Sequence, residues 1–254
     1  MSLPRTPSFR LEGRLALVVG ASSGIGLGAA MALAEAGASV TLAARPSSRL
    51  EKAVSAIVET GLTAKALPLD MSDISGVAET VAIHGPFDIA VNSAGIARHG
   101  PALETTPEDF DVAFSLNVKG SYFLAQAVAK GLIAARKPGS IITISSQMAH
   151  VGGIDRAVYS ATKHAVEGFT KSMAIEWGPH GIRVNTICPT FIKTALTEQT
   201  FSNPERTRWI TEKIKLGRIG RVEDIMAAVT YLASDAAAMV TGTALMVDGG
   251  WTAD

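Results

Sequence analysis

The chain has few of the features that mark secreted, membrane-bound or nucleic-acid-binding proteins. Its single cysteine, Cys188, cannot form a disulfide within the chain, as is typical of proteins from a reducing compartment such as the cytoplasm. The 23 basic and 23 acidic side chains leave zero formal net charge, and the basic residues stand singly, which argues against nucleic acid or an anionic membrane as partner. Apolar runs long enough for a membrane span or a signal peptide are absent, so we expect a soluble cytoplasmic protein.

Metal-binding motifs are also missing from the sequence. The histidines form neither a His-Glu-x-x-His motif nor a cluster with cysteine along the chain; they are His84, His99, His150, His164 and His180. We therefore expect no metal site. Cys188 is expected to be a small buried residue and not a nucleophile.

The pattern that is present indicates an α/β fold. With 254 residues and 47% hydrophobic content the chain can bury a large core, and no Pro/Gly/Ser-rich linker divides it. Short aliphatic or β-branched runs alternate with longer Ala-rich helical stretches, as in a parallel sheet covered by helices on both faces. The expected strands are 15–19, 39–43, 64–69, 89–91, 140–144, 183–187 and 244–247, and the expected helices are 24–36, 48–60, 72–83, 107–135, 159–177 and 222–232.

These elements predict one Rossmann-fold domain over residues 11–254, with a seven-stranded doubly wound parallel sheet, preceded by a flexible arm at residues 1–10. Residues 190–216 follow the sixth strand and show helical patches but no clear strand. Because ligands of such sheets bind outside the carboxyl ends of the strands, we expect this lid segment (residues 190–216) to cover the site. Phe201 and Trp209 would either cap a substrate or anchor the lid segment to the core.

A glycine-rich turn, Gly20-Ala21-Ser22-Ser23-Gly24-Ile25-Gly26, joins the first predicted strand to the first helix. Its glycines would let the backbone turn tightly and bring the pyrophosphate of a dinucleotide onto the helix N-terminus. A turn that only packs strand against helix has the same composition, so the loop alone does not decide between these readings.

Tyr159 and Lys163 stand four residues apart on a predicted helix, so the phenol and the ammonium share one face. A free phenol ionises at about pH 10, and a cation held beside it favours the phenolate. The pair therefore predicts a general acid/base. A half-buried tyrosine and a solvated lysine would give the same spacing, and the context described next favours the functional interpretation.

The Gly-x-x-x-Gly-x-Gly spacing, with Ser146 thirteen residues before Tyr159, resembles the short-chain dehydrogenase/reductase family from about residue 11 to residue 251. Further matching segments are Val91-Asn92-Ser93-Ala94-Gly95, Asn117-Val118-Lys119-Gly120, Ile144-Ser145-Ser146, Pro189-Thr190-Phe191-Ile192-Lys193-Thr194 and Val247-Asp248-Gly249-Gly250. The sequence departs from the family pattern at Val19, Ser93 and Thr190, which stand where many relatives have Thr, Asn and Gly.

The resemblance implies a catalytic tetrad of Asn117, Ser146, Tyr159 and Lys163. In it Tyr159 exchanges a proton with the substrate oxygen while hydride moves between a nicotinamide cofactor and a carbonyl or secondary alcohol. Ser146, or Ser145 as the alternative, orients that oxygen; Lys163 also binds the nicotinamide ribose, and Asn117 holds a proton-relaying water. The implied cofactor-binding residues are Gly20, Ser22, Ser23, Gly24, Ile25, Gly26, Arg45, Asp70, Met71, Asn92, Ala94, Gly95, Tyr159, Lys163, Pro189, Ile192 and Thr194.

The residues after the second strand favour NADP over NAD. NAD-binding Rossmann proteins place a carboxylate there for the ribose hydroxyls, whereas this chain has Ala44 followed by Arg45, whose guanidinium suits a 2′-phosphate. Ser23 stands where relatives often carry a second basic residue, so NAD remains possible. Asp70 would meet the adenine by resemblance, or would only start a turn.

Gln147 and His150 favour a hydroxyl-rich small-molecule substrate, so a sugar/polyol dehydrogenase or ketone reductase is the main prediction. The alternatives are a 3-oxoacyl thioester reductase and, in another class, a dinucleotide-sensing regulatory protein without turnover. The joint presence of Ser146, Tyr159 and Lys163 disfavours that second class. The resemblance also implies a homotetramer.

Overall fold

A computed structural model describes residues 3–195 and 197–253, except for the Gln199 side chain. Seven parallel strands form one sheet in the order β3-β2-β1-β4-β5-β6-β7. They are β1 (Leu15–Val19), β2 (Ser39–Ala44), β3 (Ala64–Pro68), β4 (Ile89–Asn92), β5 (Gly139–Ile144), β6 (Ile182–Pro189) and β7 (Ala244–Val247). Every predicted strand is confirmed, and the ends differ by at most two residues.

The helices lie on both faces of this sheet. They are α1 (Gly24–Glu35), α2 (Ser48–Glu59), α3 (Ile74–His84), α4 (Pro107–Phe114), α5 (Ser121–Ala134), α6 (Ala157–Trp177), α7 (Glu198–Phe201), α8 (Pro204–Lys213) and α9 (Val222–Ala233). Buried side chains of α1, α2 and α9 form the core of one face, and those of α3, α5 and α6 form the core of the other. The predicted Rossmann architecture is therefore confirmed.

The order of the strands determines where a ligand binds. From β1 the chain builds outward through β2 to β3, then returns to β4 beside β1 and builds the other way to β7. The crevice at the carboxyl ends of β1 and β4 is thus the topological switch point, where doubly wound sheets bind their ligands. The predicted ligand-binding loops each follow the carboxyl end of a strand, so they all begin at this edge of the sheet.

The predicted helix over residues 107–135 is not continuous, and this expectation was wrong. A π-helical turn at Ser115–Gly120 separates α4 from α5. Side-chain hydrogen bonds explain the interruption: the Asn117 amide pairs with both backbone groups of Ile96, at 2.9 Å and 2.8 Å. The wide turn holds Asn117 inward, where it is 1% exposed. Such turns inside α-helices are frequent at functional sites.

The end of the predicted arm lies against the body of the protein. The carbonyl of Ser8 accepts a hydrogen bond from the Ala236 N–H at 3.2 Å, and the Phe9 ring lies 6.3 Å from the ring of Tyr231. Leu11 is buried, and its N–H donates to the Ala36 carbonyl at 2.8 Å. Flexibility of the arm stays a prediction, and Met1 and Ser2 lie outside the described residues.

Among the described residues, the structure contains no helix with the length and apolar character that crossing a bilayer requires.

Candidate active site

The glycine loop between β1 and α1 is folded tightly upon itself. Gly20 has a φ of +78°, which favours glycine, and a Cβ there would come within 2.7 Å of the Ala94 nitrogen. A Cβ on Gly26 would lie 2.2 Å from the Gly20 carbonyl oxygen. The loop therefore forms a close-packed cradle at the N-terminus of α1, as binding of a dinucleotide pyrophosphate requires. Ser23 precedes α1 and its hydroxyl makes no capping hydrogen bond.

Replacing Gly26 with Ala is expected to lower the free energy of unfolding by about 1–3 kcal/mol. The better helix propensity of Ala, about 1 kcal/mol, does not offset displacement of the Gly20 backbone. Urea unfolding measures the loss. The matched control is Gly178→Ala, because Gly178 has helical φ and ψ and nothing within 4 Å of its Cβ position. Equal midpoints for the two variants would show that the cradle tolerates a methyl group.

The end of β4 supports the same crevice. Asn92 is buried. Its side-chain Nδ2 donates to Ser121 Oγ at 2.8 Å, and its side-chain Oδ1 accepts a hydrogen bond from the Ala94 N–H at 3.0 Å. Gly95 lies next to the catalytic candidates: a Cβ on it would be 3.2 Å from Asn117 Oδ1 and 4.0 Å from Lys163 Nζ. Asn117 also donates to Thr162 Oγ1 at 3.2 Å, which ties the π turn to α6.

Lys163 and Tyr159 share one face of α6, as their spacing predicts. The Lys163 Nζ lies 5.7 Å from the centroid of the Tyr159 ring and donates to the Ile144 carbonyl at 2.9 Å. Lys163 is only 6% exposed, and none of the ion pairs among the described residues involves it. Its charge is therefore not cancelled by a carboxylate and acts on the phenol. The bond to Ile144 also places the ammonium at the end of β5, two residues before Ser146.

Ser146 caps the short 3₁₀ turn Gln147–Ala149, because its Oγ accepts the Met148 N–H at 3.1 Å. Its hydroxyl proton is free to point at a ligand. Ser145, the alternative, is buried, and its side chain lies within hydrogen-bonding reach of the Cys188 thiol. Gln147 is 1% exposed, and neither atom of its amide has a hydrogen bond to a described residue. Buried polar atoms in this condition are costly unless a ligand satisfies them.

The predicted adenosine end of the site has an exposed cation, Arg45, whose charge also acts on Asp70. Arg45 directly follows β2, is exposed, and takes part in none of the ion pairs of the described residues. Asp70 is held in a turn: its Oδ1 accepts from the N–H of Ser72 at 2.9 Å and from its hydroxyl at 2.8 Å, which lowers the pKa of Asp70. The Asp70 contact with adenine stays a prediction. Met71 beside it is buried in the core.

The segment after β6 reaches the glycine loop. Ile192 is buried and pairs with Gly220 as an isolated parallel bridge, which fixes the start of the lid segment. The Thr194 methyl carbon lies near Gly24, at 3.4 Å from the position of a Cβ there. Thr194 therefore lies beside the glycine loop, and the cofactor contacts of Pro189, Ile192 and Thr194 stay a prediction. Leu196 lies outside the described residues.

A cleft of about 390 Å³ opens beside these residues. Trp209 of α8 contacts Trp251 edge-to-face at 5.5 Å, and Phe191 lies 5.7 Å from Trp251. Trp209 thus both lines the cleft and anchors the lid segment, and Phe201 contacts Phe191 at 6.5 Å. The cleft is lined by Met148, Gly153, Ile154, Arg156, Phe191, Asn203, Glu205, Arg206, Trp209 and Trp251. No sequence motif indicates that Phe191, Trp251, Arg156 or Arg206 lie there.

Arg156 gives the cleft a positive charge. It is 7% exposed, and its one side-chain hydrogen bond to a described residue is a 3.4 Å contact with the carbonyl of Asp155. Burial and the charge of Arg206 lower the pKa of the Arg156 guanidinium, which nonetheless stays charged. Partial burial, Arg156 and Arg206 also lower the pKa of His99 to about 4. The His99 ring lies 5.6 Å from Tyr159, so the imidazole beside the phenol is neutral at neutral pH.

His150 has a neighbour that the sequence does not reveal, and its contact with substrate stays a prediction. Its ring lies against a buried thiol, with Nε2 3.5 Å from Cys188 Sγ, and that sulfur lies 3.4 Å from Glu167 Oε1. Spacing along the chain does not show this cluster, because Cys188 lies 38 residues after His150 and 21 residues after Glu167. Cys188 is buried, as predicted, and burial together with Glu167 raises the pKa of its thiol to about 12.

Comparisons with known proteins agree with this site. A family model described as enoyl-(acyl carrier protein) reductase matches residues 20–252. Gluconate 5-dehydrogenase of Gluconobacter oxydans is 41% identical over 96% of both chains, and L-xylulose reductase of Bos taurus is 39% identical over 96% of this chain and 99% of its own.

A solved structure shows the same architecture. Gluconate 5-dehydrogenase from Burkholderia cenocepacia, in complex with NADP and tartrate, superimposes with a TM-score of 0.92 at 35% identity, covering 97% of this chain and 98% of that one. Together with the loop, the Tyr159–Lys163 pair and the sheet order, these matches show that the chain belongs to the short-chain dehydrogenase/reductase family of oxidoreductases, which act on carbonyl and secondary alcohol groups.

Proposed function

We propose that the protein catalyses the reversible, NADP(H)-dependent interconversion of a ketone and a secondary alcohol within a sugar acid, a polyhydroxy carboxylate. The observation on which this substrate class rests is the buried, unpaired guanidinium of Arg156, which lines the cleft together with Arg206. Two arginines against the one carboxylate of Glu205 leave the lining of this cleft net positive, which favours an anionic ligand.

The chemical step uses the residues around Tyr159. The bound nicotinamide cofactor supplies or accepts the hydride. In reduction the Tyr159 hydroxyl gives its proton to the substrate oxygen, and in oxidation the phenolate takes it back. The uncompensated charge of Lys163 stabilises the phenolate, and Ser146 donates a hydrogen bond that holds the substrate oxygen within reach. Asn117 holds the proton-relaying water.

NADP is the preferred cofactor in this proposal. The cradle formed by Gly20 and Gly26 fits a pyrophosphate, and Arg45 offers an exposed guanidinium to the 2′-phosphate at the end of β2. Ala44 places no anion against that phosphate. The structure of the Burkholderia relative contains NADP, which supports this choice.

Two of the relatives support a carboxylate-bearing substrate, whereas the L-xylulose reductase is named for a neutral ketose. One relative is a dehydrogenase of gluconate, and the solved relative holds tartrate, a hydroxylated dicarboxylate. In this chain the side-chain amide of Gln147, directly after Ser146, lacks hydrogen-bond partners among the described residues and could bind a substrate hydroxyl. The planar guanidinium of Arg156 could donate two hydrogen bonds to the carboxylate. Residues 190–216 would form the lid, and Trp209 would be the part of the cleft lining that moves with it.

We also propose a cytoplasmic homotetramer. Exposed apolar side chains of α4 and α5 support association of subunits, because Phe110, Val112 and Tyr122 are 43%, 45% and 39% exposed.

Replacing Arg156 with Met tests the substrate class. Loss of charge-assisted hydrogen bonds worth about 1.5–3 kcal/mol should raise the KM for a keto-aldonate roughly 10- to 150-fold. The KM for a neutral ketose of similar length should change little, since it has no carboxylate. Rates are followed by NADPH absorbance with both substrates.

Arg208→Met is the matched control, because Arg208 is an exposed arginine two positions from Arg206 on α8. Turnover of the neutral ketose also reports that Arg156→Met has folded. A wild-type enzyme that prefers neutral ketoses, or an equal loss with both substrates in Arg156→Met, would contradict the sugar-acid assignment.

A further inference from the structure

Three different metal-binding side chains meet behind the 3₁₀ turn that follows Ser146. Glu167 comes from α6, Cys188 from β6, and His150 from the end of the turn. The His150 nitrogen, a Glu167 oxygen and the Cys188 sulfur all lie within 4.8 Å of one another. None of the steps proposed above uses these groups.

Their spacing matches a tetrahedral zinc site. With a Zn–S bond of about 2.3 Å and Zn–N and Zn–O bonds of about 2.0–2.1 Å, neighbouring ligand atoms in a tetrahedron lie about 3.5 Å apart. The Cys188 sulfur is 3.5 Å from His150 Nε2 and 3.4 Å from Glu167 Oε1. Two edges of the tetrahedron therefore exist before any ion binds.

The carboxylate is also oriented as a ligand would be. Thr186 Oγ1 donates to Glu167 Oε2 at 2.9 Å, which leaves Oε1 directed at the sulfur. Hydrogen bonds of this kind from outside the coordination sphere fix metal-ligating carboxylates. Glu167 is 6% exposed, and no ion pair of the described residues neutralises it. A buried carboxylate without a cation is costly, and a divalent ion would supply that charge.

We propose that His150, Glu167 and Cys188 form a binding site for a borderline-soft divalent cation of the Zn²⁺ class, with water as the fourth ligand. On binding, the thiol releases its proton to solvent and the thiolate bonds the metal. His150 is exposed, so the ion enters from the solvent side. A bound ion would link the segment between Ser146 and Tyr159 to the sheet. The site does not depend on the identity of substrate or cofactor.

Cobalt spectroscopy tests the site directly. The full chain, purified without a histidine tag and treated with chelator, is titrated with Co²⁺. We expect one equivalent to produce a near-ultraviolet thiolate-to-cobalt charge-transfer band and the intense visible bands of tetrahedral Co²⁺, both removed by added Zn²⁺. Cys188→Ser should abolish the charge-transfer band, and Glu167→Gln and His150→Gln should each weaken Co²⁺ binding at least 10-fold.

His84→Gln is the matched control, because His84 is an exposed histidine at the end of α3 and should not affect the spectrum. Thr186→Val keeps all three ligands and should weaken binding about 10- to 100-fold by releasing the carboxylate. The Thr186→Val variant therefore tests the site even if Cys188→Ser does not fold. No charge-transfer band in the wild type, or a band of unchanged affinity in both Glu167→Gln and His150→Gln, would overturn the proposal.

Discussion

Tyr159→Phe is expected to lower kcat by about 10²- to 10⁴-fold while NADPH still binds. The substitution removes only the hydroxyl that exchanges the proton. The ring can keep its edge contact with His99 at 5.6 Å and its place beside Lys163. Turnover is followed by NADPH absorbance, and the Kd for NADPH is measured by calorimetry on the same samples.

Tyr122→Phe controls for the loss of any tyrosine hydroxyl, because Tyr122 is a partly exposed residue of α5 that contacts Phe123 and Phe169 through its ring. Its activity should equal that of the wild type. If Tyr159→Phe retained wild-type kcat, another group would have to supply the proton. If neither the wild type nor Tyr159→Phe turned over any carbonyl substrate, yet both bound NADPH, a dinucleotide-sensing role would be favoured instead.

Ala44→Asp is expected to reverse the cofactor preference. A carboxylate at the end of β2 would repel the 2′-phosphate of NADPH and accept hydrogen bonds from the ribose hydroxyls of NADH. Charge-assisted hydrogen bonds are worth about 1.5–3 kcal/mol, so kcat/KM for NADPH should fall roughly 10- to 150-fold, and kcat/KM for NADH should rise. Arg45→Gln should lower only the NADPH value.

Arg49→Gln is the control for this pair, because Arg49 is another exposed arginine near the start of α2. Salt provides a second check: the advantage of NADPH over NADH in the wild type should shrink as ionic strength rises, since Arg45 is exposed. Equal kcat/KM values for the two cofactors in the wild type, or an unchanged ratio in Arg45→Gln, would contradict the NADP assignment.

The parts of the fold that the sequence predicts best are those governed by local periodicity. Leu15–Val19 reads as a buried strand because every residue is aliphatic, and α6 brings Tyr159 and Lys163 together because four residues make about one helical turn. The glycine loop follows from conformations that other residues adopt only at a cost. Each of these features depends on residues that are neighbours in the chain.

The start of α3 shows the limit of local patterns. The sequence predicts a helix from residue 72, whereas the structure begins it at Ile74, because the Asp73 side chain accepts the Gly76 N–H at 3.0 Å. The Ser72 hydroxyl instead donates a hydrogen bond to Asp70 Oδ1 at 2.8 Å. Asp70, Ser72 and Asp73 all suit a helix start, and only their actual hydrogen bonds distinguish them.

Features that depend on contacts between distant segments were missed. Arg156 is three residues before Tyr159, but its importance comes from Arg206 on the lid segment, which adds a second positive charge to the same cleft. Trp251 becomes a wall of the cleft only because Trp209 lies against it. The His150–Glu167–Cys188 cluster likewise requires the register between α6 and β6, which no spacing in the sequence shows.

The π turn at Ser115–Gly120 has a consequence for how this family member tolerates insertions and deletions. Each residue of an α-helix turns the chain by about 100°, so removing one residue between α4 and α5 would swing Asn117 off the Ile96 backbone or rotate one helix against the core. Restoring a regular helix would thus remove an inward-facing amide from the crevice. The length of this segment, and not only its residue types, is therefore under functional constraint.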